Sequence, residues 1–553
     1  MLETEFNLID APWIRVLDKD CRLREVSLKD ALLHAREFQG LSGELPTQDV
    51  AVLRLLLAVL HTLISRYDAE GAACALEEDE YQALERWQQW WERGSFPERA
   101  VTEYLTQWHE RFWLFHPERP FFQVAGIKTG TSYNAPKLNG EISESNNKVR
   151  LFSSYSGEEK RTMSYAQAAR WLLYLNAYDD ASGKPTSEGK AKAGGHLPSV
   201  GTGWLGQLGL VYLTGDSLFE TLMLNLIMVN GSQDVQCVQK PVWERESVAT
   251  AERVKIPMPD NLAELYTLQS RRILLKREQD AVVGYILLGG DFFPSENAFF
   301  EPMTAWREAS GKTAQLIPKR HDSSRQMWRE FSALFQGEHT GKNKRAGVIE
   351  WYCEHLLNSD WTPKDPLVTT AIASVEYGAK NSSVDHVFSD SLTMHADLLQ
   401  ALGKDLRSLI EGEIDKCGDL AGCMADFAKD LFLASGGSSQ SAASIGQRAK
   451  EQLYYRLDLP FRTWLRGIDP KEQDEAQKEA VLTAWRGTAK SIAKKYAKEL
   501  ETEQPETAIL GRTIETRSNG KTKKAFYSVA TAKQFFLWKI NKLYGKDVNT
   551  CRM

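Results

Sequence analysis

Apolar residues run almost unbroken from Val50 to Ile64, and only Arg54 and His61 interrupt them strongly. A run of this length is too short and too polar to cross a bilayer, which needs about 20 apolar residues. It predicts a buried helix, with Thr47 as the N-cap because a threonine hydroxyl can accept a hydrogen bond from the first turn. Other helical patterns occur at about 27–38, 78–113 and 164–177.

The last third of the chain has a different pattern, in which apolar residues recur at helical spacing in four segments, near 398–410, 442–457, 481–500 and 535–543. Polar breaks such as Ser435–Ser439 separate them, and Asn519-Gly520 is a β-hairpin turn signal. Four amphipathic segments joined by polar breaks predict a four-helix bundle. The expected fold class is α+β, with a large mixed α/β domain over residues 1–385 followed by a four-helix bundle over residues 386–553.

Two long polar stretches interrupt the first domain. One runs from about Gly126 to Ser164 and the other from Asp179 to Thr202; both are rich in glycine, and lysines of the second include Lys184, Lys190 and Lys192. Loops of this length inside a compact domain commonly carry function. Glycine allows a close approach of the backbone, and lysine binds phosphate. The combination indicates a binding surface, although polar loops without any ligand have the same composition.

Composition excludes several classes of protein. The chain of 553 residues has a formal net charge of −6, so it lacks the basic balance of a protein that binds naked duplex DNA alone. Its seven cysteines form no Cys-x-x-Cys pair, which argues against a disulfide framework and a local zinc site. No secretory signal is apparent at the N-terminus, so we expect a cytoplasmic protein without a membrane partner.

Two glycine motifs resemble nucleotide-binding loops. Gly201–Gly206 matches Gly-x-Gly-x-x-Gly, but a loop precedes it where a dinucleotide site requires a buried strand. A tight turn leading into packed elements is the plainer interpretation. Gln336–Asn343 resembles a P-loop, yet it begins with glutamine and has asparagine after its lysine, where serine or threonine would bind Mg²⁺.

The acidic and histidine residues form no catalytic or metal-binding pattern in the sequence. His321-Asp322 could belong to a metal-dependent hydrolase, but further ligands at recognisable spacing are missing and the basic neighbours favour a solvated surface. Asp179-Asp180 lies in a polar loop, where burial would not tune a general acid. The sequence therefore predicts no catalytic residue, no metal site and no cofactor.

Seven short segments, taken together in their order and spacing, resemble the CasA family, the large subunit of the type I-E CRISPR surveillance complex Cascade. They are Asn7–Ile14, Leu53–Leu63, His116–Phe121, Gly201–Leu226, Gln269–Arg272, Glu301–Trp306 and Tyr454–Trp464. The family's division into a mixed N-terminal domain and a four-helix bundle agrees with the break placed near residue 385.

The resemblance implies nucleic-acid-binding residues on three loops of the large domain. A first loop that meets DNA and the 5′ handle of the guide RNA corresponds to Phe152, Ser153 and Ser154. A glycine loop that enters the minor groove beside the target corresponds to 183–195, where Gly183, Gly194 and Gly195 are alternatives. A wedge that splits the first base pair corresponds to Asn381, with Lys380 and Ser382 beside it.

The resemblance also implies partners and a function. The partners are the guide RNA 5′ handle, double-stranded target DNA, the small, handle-binding and backbone subunits of Cascade, and a helicase-nuclease. The chain would be a non-catalytic subunit that recognises the protospacer-adjacent motif, helps to open the duplex and recruits the helicase-nuclease. Two alternatives stay open: a stand-alone metal-dependent nuclease that uses His321-Asp322, and a purely structural scaffold subunit.

Overall fold

The computed structural model describes residues 4–139, 155–186, 201–231, 234–311, 315–335, 343–359, 361, 366–400, 403–471, 474–518 and 521–545. The chain divides into two compact units. The first comprises Met1–Arg325 and Ala333–Ser391, and the second comprises Gln326–Ser332 and Leu392–Met553. Together they form an α+β protein in which a mixed part precedes a helical part, as the sequence predicts.

The first unit contains short helices and strands in alternation. Its α-helices are α1 (Leu28–Leu33), α2 (Pro46–Arg66), α3 (Glu80–Arg93), α4 (Glu98–Gln107), α5 (Ala135–Asn139), α6 (Gly157–Arg161), α7 (Tyr165–Tyr178), α8 (Leu218–Leu224), α9 (Leu262–Tyr266) and α10 (Gly347–Glu350), which continues as a π-helical turn. Its strands are β1 (Glu5–Asn7), β2 (Ile14–Asp18), β3 (Leu23–Val26), β4 (Phe38–Leu41), β5 (Trp113–Phe115), β6 (Thr131–Asn134), β7 (Leu210–Thr214), β8 (Val229–Asn230), β9 (Asp234–Val235), β10 (Arg271–Glu278), β11 (Ala281–Gly289), β12 (Trp306–Glu308), β13 (Leu316–Pro318), β14 (Asn343–Lys344), β15 (Leu367–Tyr377) and β16 (Val384–His395).

Helix α2 is the centre of the first unit, as its apolar run predicts. The helix has 21 residues and extends beyond the run Val50–Ile64, so by length and composition it could span a membrane, and the prediction that it is too short is wrong. It is buried inside the protein, as predicted. Its two polar interruptions are accommodated inside the protein: Arg54 forms a bidentate ion pair with Glu301 at 2.8 and 3.0 Å, and burial lowers the pKa of His61 to about 3, so His61 stays neutral. The predicted N-cap Thr47 is wrong. The helix begins at Pro46, because proline is well suited to the first helical position.

The first polar stretch is not a structureless loop. Strand β6 pairs with β11, where Tyr133 stacks on Tyr285 with a centroid distance of 5.3 Å. Helices α5 and α6 follow on either side of residues 140–154. The aromatic contact of β6 comes from one residue, Tyr133. The surrounding sequence is rich in serine and glycine, so its composition does not predict a strand. Helix α7 begins as predicted, with Ser164 and Gln167 forming a capping box.

The second unit contains long helices and one hairpin. Its elements are α11 (Lys404–Ala434), α12 (Ser439–Arg466), α13 (Glu475–Thr502), α14 (Glu506–Leu510), β17 (Arg512–Ser518), β18 (Lys521–Tyr527) and α15 (Val529–Tyr544). The predicted hairpin forms, with Ser518 paired to Lys521 around the two-residue connection. The segment Gln326–Ser332 belongs to this unit although the sequence analysis placed it in the first domain. Trp328 anchors it, stacking on Phe461 and donating a hydrogen bond to Asp458 at 2.9 Å.

Candidate nucleic-acid interface

The connection between β15 and β16 is a tight turn that presents Lys380. The Gly378 N–H donates a hydrogen bond to the Ser383 carbonyl at 2.9 Å, which closes the turn. Lys380 and Asn381 adopt left-handed backbone conformations, with φ of 58° and 54°. This conformation is uncommon for residues other than glycine and is most accessible to asparagine and aspartate. Lys380 and Ser382 are exposed, and Asn381 is half-buried.

The root of the second polar stretch lies directly against this turn. The N–H of Ala181 donates to the Asn381 carbonyl at 2.7 Å. The hydroxyl of Tyr377, at the end of β15, donates to the carbonyl of Tyr178 at 2.8 Å. The structure therefore brings together two of the three segments that the sequence analysis assigned to nucleic-acid binding, because Gly183 is two residues from Ala181.

A buried ionic cluster fixes this root. Asp179, Asp180 and Arg271 are almost fully buried, as is Lys184, which is 1% exposed. The Lys184 ammonium lies 3.1 Å from Asp179 and 3.2 Å from Asp180, and it also donates to the Ser182 carbonyl at 2.9 Å. Lys137, in α5, pairs with Asp180 at 2.9 Å.

Charge pairing outweighs burial at Asp180. Burial alone would raise the pKa of this carboxyl, but Lys184 and Lys137 lower it well below its usual range. Asp179-Asp180 is therefore not the solvated polar loop that the sequence analysis expected. Lys184 was also misjudged, since a side chain with this many internal partners is not available to bind phosphate.

Arg271 holds the two ends of the second stretch together. It pairs with the Asp179 carboxylate and donates to the carbonyls of Asp180, at 2.9 Å, and Gly201, at 2.8 Å. The Gly203 N–H adds a hydrogen bond to the Asp179 carbonyl at 2.9 Å. These bonds join the described residues on the two sides of 187–200, and we call this junction, formed by Asp179–Lys184, Gly201–Gly203 and Arg271, the loop neck. In the sequence, Arg271 stands out only as part of the family-like segment Gln269–Arg272, and nothing in that segment signals this role.

The Gly-x-Gly-x-x-Gly motif packs against the same neck, which agrees with the plainer interpretation of a tight turn. A β-carbon on Gly203 would lie 2.4 Å from the carbonyl group of Ala177. One on Gly206 would lie 1.9 Å from the Tyr377 hydroxyl. Only glycine, which has no β-carbon, therefore fits at these two positions. Its absence of a side chain lets the 3₁₀ turn Trp204–Gln207 pack closely against its neighbours. The glycines serve protein packing in this structure.

Several of the predicted residues lie outside the part of the chain that the structure describes. Phe152, Ser153, Ser154, Gly194 and Gly195 lie outside the described residues, as does most of the P-loop-like segment 336–343. The structure therefore describes Gly183, Lys380, Asn381 and Ser382 from the predicted set. Their roles toward nucleic acid stay predictions.

His321 is half-buried and is held by a hydrogen bond within the protein, so it is not a fully solvated side chain. Its Nε2 donates to the Leu210 carbonyl at 3.0 Å, and burial lowers its pKa to about 4. Asp322 pairs with Arg325 at 3.1 Å. Across the part of the chain that the structure describes, no group of three or more His, Cys, Asp or Glu side chains is placed to hold a metal ion. Nothing in this arrangement favours the nuclease hypothesis.

The fold is that of an α+β protein with two compact units. Comparison with known proteins identifies the family. The family model of the CRISPR-associated protein Cse1 matches residues 7–496, and the chain belongs to this family. The resemblance to the CasA family is thereby confirmed, since a curated relative from Thermus thermophilus carries both names, CasA/Cse1.

Three relatives illustrate the similarity. The Thermus thermophilus protein is 34% identical over 366 residues, which cover 64% of this chain and 63% of that protein, less than two thirds of its length. Thermobifida fusca Cse1 has a solved structure with 28% identity and a TM-score of 0.78, covering 98% of each chain. A chain of a CRISPR RNA-guided surveillance complex has a TM-score of 0.59 over 90% of this chain and 100% of its own; at 17% identity it shows the fold alone.

Proposed function

We propose that this chain is the non-catalytic large subunit of a cytoplasmic RNA-guided DNA surveillance complex. It recognises the protospacer-adjacent motif and helps to open the duplex. Membership of the Cse1 family and the fold shared with a chain of an RNA-guided surveillance complex support this proposal. The target sequence itself is recognised by pairing with the guide RNA. The other subunits, the guide RNA 5′ handle and a recruited helicase-nuclease are its proposed partners.

One observation carries the proposal: the turn at Lys380–Ser382 and the root of the glycine stretch form one hydrogen-bonded unit. Lys380 is exposed, and its ammonium has no ion pair among the described residues, so it is available to a phosphate. Asn381 follows immediately, and its amide can enter a base pair as a wedge. Separating one base step costs a few kcal/mol.

The first test compares the complex, reconstituted with and without this chain, on duplexes that share a target and differ in the flanking trinucleotide. We expect flank-dependent binding only when the chain is present. At fixed salt, binding that ignores both the flank and the chain would contradict the proposal. Salt is fixed because phosphate contacts make affinity depend on it.

A double variant, Lys380→Ala with Asn381→Ala, locates the activity on the turn. We expect flank-dependent binding and duplex opening to be lost while the complex still assembles. Lys19→Ala is the matched control, because Lys19 is an exposed lysine in the turn between β2 and β3 of the same unit. A double variant that binds the target normally would favour the scaffold hypothesis instead.

A further inference from the structure

A cleft of about 210 Å³ lies in the first unit, and no residue of the turn at Lys380 or of the loop neck lines it. Its apolar wall includes Phe121, Phe122 and Trp243, and its polar rim includes Arg111 and Arg119. These arginines belong to the segment that joins α4, β5 and β6. No role was assigned to them by the sequence pattern.

Arg111 and Arg119 face the same space without a counter-ion. Neither guanidinium has an ion pair or a hydrogen bond within the described residues. Burial lowers the pKa of Arg111, and the neighbouring charge of Arg119 lowers it further. Two guanidinium groups that repel each other in a cleft are stabilised by an anion between them, and guanidinium matches the geometry of phosphate.

The walls of the cleft are held rigidly. Trp243 donates a hydrogen bond to the Tyr104 hydroxyl at 2.8 Å, and Tyr104 donates in turn to Glu244 at 2.8 Å. Gln123 is fixed by the Leu114 carbonyl, at 2.7 Å, and by the Leu275 N–H, at 2.9 Å. Phe122 has a φ of 53°, which a bulky residue adopts only when its surroundings impose it. A ligand would therefore meet a preformed site.

The other charged residues of the rim limit the site to a ligand with strong negative charge. Arg245 is paired with Glu264 and contributes little free charge. Glu118 and Glu246 are exposed carboxylates on the same rim and would oppose an anion. The two kinds of charge allow a direct test. Removing the arginines should weaken the binding of an anion, and removing the carboxylates should strengthen it.

We propose that this cleft binds the phosphate of a nucleotide, either free or within a nucleic-acid strand, between Arg111 and Arg119. The guanidinium groups provide the phosphate contacts, and the aromatic wall provides apolar surface for the attached nucleoside. The volume is larger than a phosphate ion needs. This inference does not depend on recognition of the flanking motif, which concerns the turn at Lys380.

The test measures binding of a fluorescein-labelled RNA octamer to the full chain by anisotropy over a range of salt concentrations. Unlabelled AMP and inorganic phosphate serve as competitors. We expect the double variant Arg111→Gln with Arg119→Gln to bind about tenfold more weakly. Its salt slope should fall by about 1.4, since each contact to a single strand contributes about 0.7. Glu118→Gln with Glu246→Gln should bind several-fold more tightly.

The competitors identify the source of the phosphate. Displacement of the octamer by AMP indicates a site for a free nucleotide, whereas resistance to AMP indicates a site that needs a strand. Arg99→Gln is the control, because Arg99 is an exposed arginine on α4 outside the cleft. The proposal is overturned if the octamer does not bind, if the arginine double variant binds it normally, or if Arg99→Gln weakens binding equally. Flank-dependent duplex binding, measured separately, shows whether the proposed function fails on its own.

Discussion

Lys184 and Lys380 have the same side chain, lie on adjacent segments and had the same predicted role, but the structure gives them opposite environments. Lys184 is enclosed between Asp179 and Asp180, and its ammonium is paired with both of their carboxylates. Lys380 is exposed on a turn and makes no internal ion pair within the described residues. One lysine holds the loop neck and the other is available to a ligand. The comparison shows that lysine in a glycine-rich loop is evidence for a phosphate contact only when its ammonium is free.

The largest expected effect is on stability, from Lys184→Met. The variant keeps most of the side-chain volume and leaves two buried carboxylates with too few partners. Removing one member of a buried ion pair costs about 3–5 kcal/mol. We expect a loss of this size in the free energy of unfolding of the first unit, measured by urea denaturation with tryptophan fluorescence.

Lys380→Met is the matched control for this substitution. Exposed substitutions away from special features change stability by less than about 0.5 kcal/mol. We expect the control to unfold like the unaltered chain. Equal stability losses at the two positions would show that burial does not separate the two lysines, and the comparison would fail.

Two carboxylates, one whose lysine partners outweigh its burial and one whose charged neighbours do not, extend the same contrast to pH. Lys184 and Lys137 lower the pKa of Asp180, so its contribution to stability is present above pH 4 and is lost as the pH falls. Asp49, in the first turn of α2, behaves in the opposite way. Burial raises its pKa to about 7, against an opposing hydrogen bond from the Gly43 N–H. Its folded form keeps a proton that the unfolded chain loses, so its contribution falls as the pH rises from about 4 to 7.

Asp49→Asn should remove this second pH dependence. At about 1.4 kcal/mol per pH unit the shift corresponds to about 4 kcal/mol, and the partial exposure of Asp49 reduces the expected effect to about 2 kcal/mol. The stability of the variant relative to the unaltered chain should therefore increase by about this amount between pH 4 and pH 8. Urea denaturation at both pH values measures it. A constant difference would mean that Asp49 is ionised in the folded protein throughout.

Gly206→Ala tests whether the glycine motif serves the neck. The added methyl group would overlap the Tyr377 hydroxyl and disturb its hydrogen bond to Tyr178. Overpacking of this kind costs about 1–3 kcal/mol, measured by the same urea denaturation. Gly40→Ala is the control, since a β-carbon there meets no atom within 4 Å. If Gly206→Ala is as stable as the control, the glycines are not required for packing.

Periodicity predicted the fold better than composition did. The apolar run of α2 and the segments near 442–457, 481–500 and 535–543 each contain enough spaced residues to specify a helix, and each lies within one. The segment near 398–410 is α-helical only from Lys404, where α11 begins. Strand β6 was missed because a four-residue edge strand depends on its pairing with β11, which is distant in sequence. The attachment of Trp328 to the second unit is a long-range contact of the same kind.

The candidate site was predictable only in part. The resemblance assigned nucleic-acid binding to the segments of Gly183 and Lys380–Ser382, which stays a prediction, and the structure places the roots of these segments side by side. The resemblance could not show that Arg271 closes the neck, because Arg271 and its partner Asp179 are 92 residues apart. It also could not show that Lys184 is buried, since its partners Asp179 and Asp180 are near in sequence and only the fold buries all three. Local sequence carries the type of a residue, whereas availability to a ligand is a property of the folded surroundings.

The smallest expected effect is also the most specific one, and it concerns the salt dependence of DNA binding by the complex. Lys380→Gln removes one available ammonium, so the slope of log affinity against log salt should fall by about 0.9, the contribution of one duplex phosphate contact. Lys19→Gln, on the other turn, should leave the slope unchanged. The affinity itself should fall only a few-fold, because one phosphate contact carries no sequence information. Parallel slopes for both variants and the unaltered complex would show that Lys380 does not bind phosphate, and its exposure would then have no bearing on DNA.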